Sequence, residues 1–260
     1  MEIIIQPDSG TASALAAKIV ARIIKDKPGA VIGFPTGATP LEFYGNLVRM
    51  HREEGLDFSR ATTFNLDEFV GLPPDHPGSY HVYMDKHLFG RVNVGRDRIH
   101  IPDGLAADIP ASCRRYEEEI RTAGGIDVQI LGIGVDGHIG FNEPTSSLGS
   151  RTRIKTLTRQ TRRENAAEFG GENNVPYHVL TMGIGTILDS RLILLLAFGA
   201  KKAPIIAQTV EGPVTALIPA SALQHHPRTI LILDEEAAGA LTKADYYRYV
   251  YEHKPDWQKY

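Results

Sequence analysis

Residues 128–144 read VQILGIGVDGHIGFNEP, an apolar run followed at once by a polar cluster among glycines. The apolar part, Val128–Leu131, is typical of a buried strand, so the polar cluster begins where the strand ends. In open α/β sheets the ligand site lies at this carboxyl end of the strands. His138 stands between Asp136 and Glu143, and an imidazole beside a carboxylate can transfer protons near neutral pH. The alternative is a glycine-rich turn whose two acids cap a helix and whose histidine is solvated.

The same stretch also matches the Gly-x-Gly-x-x-Gly spacing of dinucleotide-binding loops, at Gly132, Gly134 and Gly137. Such a loop requires a helix that opens at the last glycine, and Pro144 stands too close for a helix of useful length. It also requires an acid about 20 residues further on, to bind a ribose hydroxyl. Residues 155–159 read KTLTR and contain no acid. The pattern therefore does not predict NAD binding.

The composition is that of a globular protein, since 42% of the 260 residues are hydrophobic and 23% are charged. The net charge of −3 gives no indication of a nucleic-acid partner. The single cysteine, Cys113, excludes an intramolecular disulfide and is consistent with a reducing cytosol. No signal-peptide pattern is present, and no apolar run approaches the roughly 20 residues of a membrane span. We expect a cytoplasmic protein with no membrane partner.

Short apolar runs alternate with amphipathic segments along the chain, which predicts a mostly parallel sheet flanked by helices. No repeat, low-complexity tract or linker marks a boundary, so we expect one domain over residues 1–260. The predicted strands are Glu2–Ile5, Ala30–Phe34, Ala61–Asn65, Ile126–Leu131, Arg153–Thr156, Tyr177–Thr181, Leu192–Ala197 and Thr229–Leu233. The predicted helices are Ser9–Lys25, Leu41–Arg52, Ser79–Leu88, Ile109–Thr122, Arg162–Phe169, Lys201–Val210 and a segment from Glu235 onward.

A loop of small residues, Gly33–Pro40, lies between a predicted strand and a predicted helix. Free N–H groups at a helix start, together with the hydroxyls of Thr36 and Thr39, can bind a phosphate. The loop lacks the Gly-Lys-Ser/Thr ending of a P-loop, so nucleoside triphosphate binding is not predicted. An ordinary tight turn would have much the same composition.

Two adjacent acids, Asp67 and Glu68, follow the third predicted strand. Neighbouring side chains at this point face different directions, so one can enter a cleft while the other supports it. A carboxylate whose pKa is raised by partial burial can act as a base toward carbon. A capping pair on the surface is the alternative.

Two basic segments indicate a site for an anionic ligand. Arg151, Arg153 and Lys155 alternate with other residues at strand spacing and so share one face. A solvated edge strand would give the same alternation. Lys201-Lys202 begins a predicted helix, where cations oppose the helix dipole unless an anion is bound nearby.

Histidines outside the central cluster give no sign of a metal site. Four of them form two close pairs, His76 with His81 and His225 with His226. Neither pair has acid partners at metal-ligand spacing, so we expect both to be structural and predict no metal.

Taken together, these motifs resemble the glucosamine-6-phosphate deaminase family. They occur in order over nearly the whole chain, which makes a chance similarity implausible. The ending FNEP at residues 141–144 is the most specific, because the related 6-phosphogluconolactonases share the sugar-phosphate loop and Asp-Gly-His but not this ending. The segments that carry the resemblance are Pro35–Pro40, Phe64–Leu72, Asp136–Pro144, Ser150–Thr158, Leu180–Thr186 and Leu223–Pro227.

The resemblance implies a Rossmann-like α/β domain and a cofactor-independent reaction of amino-sugar catabolism. D-glucosamine 6-phosphate and water would give D-fructose 6-phosphate and ammonia. His138, held by Asp136 and Glu143, would open the pyranose ring. Asp67 would then move a proton from C2 to C1. The positions that match the family's phosphate site are Thr36, Gly37, Ala38, Thr39 and Lys202.

The chain departs from the family at two positions that concern the phosphate. Ala38 stands where the family usually has Gly or Ser, and Ala167 stands where it usually has an arginine after the basic strand. Phosphate anchoring would then pass to Arg162 or Arg163. The alternative is a deaminase-like enzyme with an altered substrate.

Activated hexamers of the family bind N-acetylglucosamine 6-phosphate at a subunit interface. The resemblance therefore implies a homo-oligomer, with a hexamer among the candidates, and a candidate allosteric site. The residues that match this site are Ser146, Arg153, Lys155 and Thr156, with Tyr249 as a further candidate.

Two other functions compete with the deaminase. A 6-phosphogluconolactonase on the same scaffold would need no carbon base, so Asp67, Glu68 and Glu143 count against it. A sugar-phosphate sensor, like the effector domains of some bacterial transcription regulators, would carry a helix-turn-helix segment. The sequence contains no spare basic domain for one, and we predict the deaminase.

Overall fold

The computed structural model describes residues 1–260, which form ten strands and nine α-helices. None of the helices combines the length and the apolar character needed to cross a membrane. The strands are β1 Glu2–Gln6, β2 Val31–Phe34, β3 Thr62–Asn65, β4 Asp67–Phe69, β5 Ile99–His100, β6 Val128–Leu131, β7 Arg153–Thr156, β8 His178–Thr181, β9 Ile193–Ala197 and β10 Thr229–Asp234. The helices are α1 Ser9–Asp26, α2 Leu41–Glu54, α3 Tyr80–His87, α4 Ile109–Thr122, α5 Arg159–Glu164, α6 Ile184–Leu188, α7 Ala203–Glu211, α8 Glu235–Ala238 and α9 Ala244–Glu252.

Seven strands form one parallel sheet, in the order β1-β10-β9-β6-β2-β3-β5. The strands β9 and β10 are buried along their whole length, because helices cover both faces of the sheet. Apolar residues of α1 and α2 pack on one face, and those of α4, α6, α7 and α8 pack on the other. The predicted mostly parallel sheet flanked by helices is confirmed.

The order of the strands places a crevice between β2 and β6, which are neighbours in the sheet. After β2 the chain adds β3 and β5 on one side, and after β6 it adds β9 and β10 on the other. This reversal is a topological switch point, where ligands bind in open α/β sheets. The loop after β2 contains Thr36–Thr39, and the loop after β6 contains residues 132–140. The two motifs are therefore brought together.

Three strands form a second, antiparallel sheet in the order β4-β8-β7. The sequence analysis predicted β7 and β8 as strands but did not separate them from the large sheet, and it did not predict β4. Short strands of three or four residues carry no signal for their direction or partner. The small sheet packs beside the crevice through a separate apolar cluster around Phe69 and Phe141.

Helix boundaries differ from the predictions mainly after β7. The helix predicted at Arg162–Phe169 begins earlier, at Arg159, because the side chain of Thr158 caps it by accepting a hydrogen bond from the N–H of Thr161. It ends at Glu164, and a short 3-10 turn, Ala166–Phe169, follows. Other elements also lacked a sequence signal, among them β5, α6 and the 3-10 helix Pro219–His225.

Candidate active site

A pocket of about 180 Å3 opens at the crevice between β2 and β6. A larger groove of about 880 Å3 lies between α4 and β7. Of the residues predicted to carry the chemistry, the pocket includes Asp67 and His138, whereas the groove includes none. We therefore take the smaller pocket as the candidate active site. Its lining consists of Pro35, Thr36, Gly37, Ala38, Thr39, Leu66, Asp67, Tyr80, Gly132, Ile133, Gly134, His138, Gly140, Phe141, Thr161, Glu164, Asn165 and Lys202.

The imidazole of His138 is held between two carboxylates. Its Nδ1 lies 2.7 Å from Oδ1 of Asp136 and 3.8 Å from Oε2 of Glu143. The backbone N–H of His138 also donates to Oδ1 of Asp136, at 3.1 Å. A hydrogen bond from Nδ1–H to Asp136 leaves Nε2 as the free basic nitrogen. A side chain at Gly134 would collide with this ring, since an added Cβ would lie 2.2 Å from Nδ1.

The second carboxylate of this group, Glu143, is buried and is held by hydroxyl groups. Its Oε1 accepts hydrogen bonds from the hydroxyls of Thr161, at 2.5 Å, and Thr158, at 3.3 Å. Its Oε2 has no hydrogen-bond partner and faces His138. The three groups together also have the spacing of a metal-ligand set, since one atom from each lies within 4.8 Å of the others. A proton relay and a divalent-cation site are both compatible with this spacing.

The electrostatics of this group make His138 a stronger base than a free histidine. Burial lowers the pKa of His138, but its hydrogen bond to Asp136 and the charges of Asp136 and Glu143 outweigh burial and raise the pKa above its ordinary value. The pKa of Asp136 shifts the other way: burial raises it, but the hydrogen bonds and charge of His138 lower it below the ordinary aspartate value. Asp136 therefore stabilises the imidazolium that forms when His138 accepts a proton.

Asp67 and Glu68 face different surroundings, as the sequence predicted. Asp67 lines the pocket and is 4% exposed, and its Oδ1 has no hydrogen-bond partner. Burial and the neighbouring charge of Glu68 raise the pKa of Asp67 well above the usual aspartate range. An unpartnered buried carboxylate that faces a cavity is a strong base for a bound ligand.

Glu68 does not line the pocket and instead caps a helix. Its side chain accepts hydrogen bonds from the backbone N–H groups of Phe69, at 2.8 Å, Tyr80, at 2.9 Å, and His81, at 3.4 Å. It thereby binds the N-terminus of α3, where the helix dipole favours a negative charge. Burial raises the pKa of Glu68 to about 7, although these hydrogen bonds oppose the shift. The alternative of a capping pair on the surface is correct only in that Glu68 caps a helix, since Glu68 is buried.

The loop after β2 is fixed by tyrosines from two helices. Tyr44 of α2 donates its hydroxyl to the carbonyl of Pro35, and Tyr83 of α3 donates to the carbonyl of Gly37 at 2.5 Å. Gly37 has φ +99°, a conformation that favours glycine. The N–H groups and hydroxyls of the loop thus line the pocket in a fixed arrangement. Lys202 faces the same pocket and donates from Nζ to the carbonyl of Ile133 at 2.7 Å.

Neither Arg162 nor Arg163 lines this pocket. Arg162 is buried, donates to the carbonyls of Val175 and Glu172, and stacks on the ring of Tyr177 at 3.9 Å. Arg163 pairs with Glu172 at 3.1 Å. The expectation that one of them replaces the missing phosphate arginine was therefore wrong, because both guanidinium groups bind other parts of the chain.

The pocket instead receives an acid from the same segment. Glu164 and Asn165 line it, while Ala167 is exposed on the 3-10 turn that follows. Burial lowers the pKa of Lys202, and the charge of Glu164 acts in the opposite direction. Lys202 is the only lysine or arginine among the lining residues, and the negative charge of Glu164 lies in the same pocket.

The candidate allosteric residues are only partly brought together. Arg153 and Lys155 share one face of β7, and Thr156 points to the opposite face because side chains alternate along a strand. Ser146 is 3% exposed, and its hydroxyl has no partner. Tyr249 lies on α9, which packs against β1 at an edge of the large sheet.

Tyr80 is a pocket residue that the sequence analysis missed. It is 4% exposed, lines the pocket and stacks parallel to Phe141, with ring centroids 6.4 Å apart. Burial and the charge of Asp67 raise the pKa of Tyr80 well above the usual tyrosine range. In the sequence it looks like an ordinary core residue in the first turn of a helix, so no local signal could have singled it out.

Comparisons with known proteins identify the family of the chain. The family model described as glucosamine-6-phosphate isomerases/6-phosphogluconolactonase matches residues 8–231. The chain is 53% identical, over 99% of both chains, to the glucosamine-6-phosphate deaminase of Arthrobacter sp. (strain FB24). It is 49% identical, again over 99% of both chains, to the glucosamine-6-phosphate deaminase of Streptomyces coelicolor.

Solved structures give the same picture. A monomeric glucosamine-6-phosphate deaminase matches with a TM-score of 0.91 and 45% identity, over 92% of this chain and 100% of that one. The 6-phosphogluconolactonase from Trypanosoma cruzi matches with a TM-score of 0.72 and 20% identity, over 93% and 97% of the two chains. The second match shows a shared fold only.

The parallel sheet, the switch-point pocket and the family match define an α/β enzyme of the sugar-phosphate isomerase and lactonase class. The chain belongs to the glucosamine-6-phosphate isomerase/6-phosphogluconolactonase family. Within that family its relatives at about half identity are glucosamine-6-phosphate deaminases.

The first prediction concerns the electrostatics of His138. Asp136→Asn removes the charge that raises the pKa of this imidazole most, so we expect the pKa of His138 to fall. Its neutral form would then persist to lower pH than in the wild type. NMR titration of the imidazole signals measures the change, with the other histidines as internal controls. An unchanged or raised pKa of His138 would contradict the relay geometry.

Proposed function

We propose that the chain is a glucosamine-6-phosphate deaminase, which converts D-glucosamine 6-phosphate and water to D-fructose 6-phosphate and ammonia. The observation that carries the proposal is one pocket that contains both the unpartnered carboxylate of Asp67 and the His138 relay. Isomerisation needs a base for carbon, and ring opening needs a group that exchanges protons with oxygen. The relatives at about half identity support the same reaction.

Ring opening is the first step. The free Nε2 of His138 takes the proton from the C1 hydroxyl as the bond between C1 and the ring oxygen breaks, and the proton passes to the ring oxygen. Asp136 keeps the imidazole in the tautomer that leaves Nε2 basic, and it stabilises the imidazolium that forms. Glu143 adds a second negative charge on the same side of the ring.

Proton transfer between carbons is the second step. Asp67 removes the proton from C2 of the open-chain sugar, which gives an enolamine, and returns a proton to C1. The product is an imine at C2, and water hydrolyses it to the ketone and ammonia. Burial makes the Asp67 carboxylate a stronger base than an exposed aspartate, which favours this step.

The phosphate would lie at the other end of the pocket. The loop Thr36, Gly37, Ala38 and Thr39 offers N–H groups and hydroxyls, and Lys202 offers a positive charge. The methyl group of Ala38 adds no hydrogen-bonding group, so backbone groups would make the contact at this position. Binding energy from the phosphate would hold C1 and C2 against the reacting groups.

We extend the proposal to the whole chain: residues 1–260 act as one deaminase-like domain, in the cytoplasm, with no cofactor or metal. Assembly into a homo-oligomer, including a hexamer, stays a prediction, and the matching structure at 45% identity is that of a monomeric deaminase. Light scattering tests the assembly, and assays after chelation test the metal. Assays with and without N-acetylglucosamine 6-phosphate test the candidate site of Ser146, Arg153, Lys155 and Thr156.

The second prediction tests the carbon base. Asp67→Asn keeps the shape of the side chain but removes its basicity, so kcat should fall by about 10²- to 10⁴-fold. The substrate should still bind, since the phosphate contacts remain. Ammonia release coupled to detection of fructose 6-phosphate measures turnover, and calorimetry measures binding.

Asp245→Asn is the matched control, because Asp245 is fully exposed on α9, and it should behave as the wild type. Turnover of Asp67→Asn within tenfold of the wild type would contradict the role of Asp67. If the wild type hydrolyses 6-phosphogluconolactone and releases no ammonia, the protein is a lactonase and not a deaminase.

The third prediction concerns the phosphate end. Glu164→Gln removes the acid that faces Lys202, so a bound phosphate should lose about 0.5 kcal/mol of repulsion and KM should fall roughly twofold to threefold. Ala167→Arg should lower KM as well, by adding a cation to the same segment. Both effects should shrink at high salt, and kcat should change little. An unchanged or higher KM in Glu164→Gln would show that this acid does not oppose the phosphate.

A further inference from the structure

Asn142 connects three segments of the chain through its side chain. The side chain is completely buried. Its Nδ2 donates to the carbonyl of Ile139 at 2.9 Å and to the carbonyl of Met182 at 2.8 Å. Its Oδ1 accepts a hydrogen bond from Nη1 of Arg153 at 2.9 Å. Both donor positions and one of the two acceptor positions of the amide are therefore used, although Asn142 does not line the pocket.

The side chain of Asn142 forms these bonds within the turn that joins His138 to Glu143. Ile139 directly follows His138, and Glu143 directly follows Asn142. The backbone N–H of Asn142 donates to the same carbonyl of Ile139 at 3.2 Å, so backbone and side chain together close the turn that carries both groups. The bond to Met182 ties this turn to the end of β8, and the bond from Arg153 ties it to β7.

Arg153 has few other partners. No carboxylate lies within ion-pair distance of its guanidinium, which otherwise donates to the carbonyl of Arg151 at 3.3 Å. Burial without an acid lowers the pKa of Arg153 from its ordinary value. The neighbouring Arg151, in contrast, pairs with Glu117 and Asp189. Burying half of a guanidinium against a neutral amide costs free energy that no acid offsets here.

An amide at position 142 suits this arrangement better than an acid would. An aspartate could still accept from Arg153, but it could not donate to the carbonyls of Ile139 and Met182. It would also add a negative charge beside Glu143 and so stabilise the protonated form of His138. Asn142 thus fixes the turn without adding to the charge of the relay.

We propose that Asn142 and Arg153 are positioning residues, whose hydrogen bond holds Glu143 against His138 from outside the pocket. The proposal rests on the deaminase function for its kinetic consequence, but its structural consequence can be measured without substrate. It also gives the basic face of β7 a direct connection to the active site. A change at Arg153 would therefore reach His138 without any contact to the bound sugar.

Two variants should lower the pKa of His138. Arg153→Met breaks the bond and loosens the turn, so Glu143 should act less strongly on His138 and the pKa should fall. Asn142→Leu removes all three side-chain hydrogen bonds without adding a charge, so the pKa of His138 should fall here too. NMR titration of His138 in the absence of substrate measures both, and the acid limb of the pH profile of kcat/KM should move with them.

The kinetic expectation for Arg153→Met is a loss of about tenfold in kcat, with KM within about twofold of the wild type. Arg121→Met is the charge-matched control, because Arg121 pairs only with Glu118 on the exposed side of α4. It should leave the titration of His138 and kcat unchanged. Circular dichroism and thermal melting establish that each variant is folded.

An unchanged titration of His138 in both folded variants would overturn the proposal, even if kcat falls, because the loss would then be merely structural. A raised pKa of His138 in either folded variant would overturn it as well. If one of the two variants does not fold, the other decides by itself through the direction of its shift. If the wild type releases no ammonia, the deaminase function fails, while the titration still tests the positioning role.

Discussion

The active site depends on the backbone of Leu66, which forms one hydrogen bond toward each of the two sheets. The N–H of Leu66 donates to the carbonyl of Phe34, which continues the pairing of β3 with β2 in the large sheet. The carbonyl of Leu66 accepts from the N–H of Met182, which directly follows β8 of the small sheet. Asp67 is the next residue and starts β4. Its side chain is therefore placed at the junction of the two sheets, where backbone pairing leaves a buried carboxylate facing a pocket.

Four acids lie in or beside this junction, and their surroundings give them different properties. Helix N–H groups stabilise Glu68, an imidazole stabilises Asp136, and two threonine hydroxyls stabilise Glu143. Asp67 has no comparable partner for its Oδ1. Burial of an unpaired carboxylate is costly, and this cost raises its basicity. A ligand that offers a proton at this point relieves the cost, which is why the unpaired acid is the reactive one.

Much of this arrangement follows from the sequence. The apolar runs predicted the large sheet, and Asp136, His138 and Asp67 were found because polar residues directly follow strands. What could not be predicted depends on contacts distant in the chain. The small sheet forms because β4 pairs with β8, more than 100 residues away. Arg162 looked available to a phosphate, but the carbonyls of Val175 and Glu172 bind it. The place of Tyr80 in the pocket and the bond between Asn142 and Arg153 likewise depend on contacts that the sequence does not reveal.

The most direct measurement follows the hydrogen at C2. Glucosamine 6-phosphate deuterated at C2 is converted by the enzyme, and NMR locates the label in the product. Transfer by Asp67 predicts fructose 6-phosphate and ammonia in equal amounts, with deuterium at C1 or lost to water and none left on C2. An aldose phosphate that keeps deuterium at C2 would contradict the account, because the amine would then have been replaced without isomerisation. Unchanged substrate would contradict it as well.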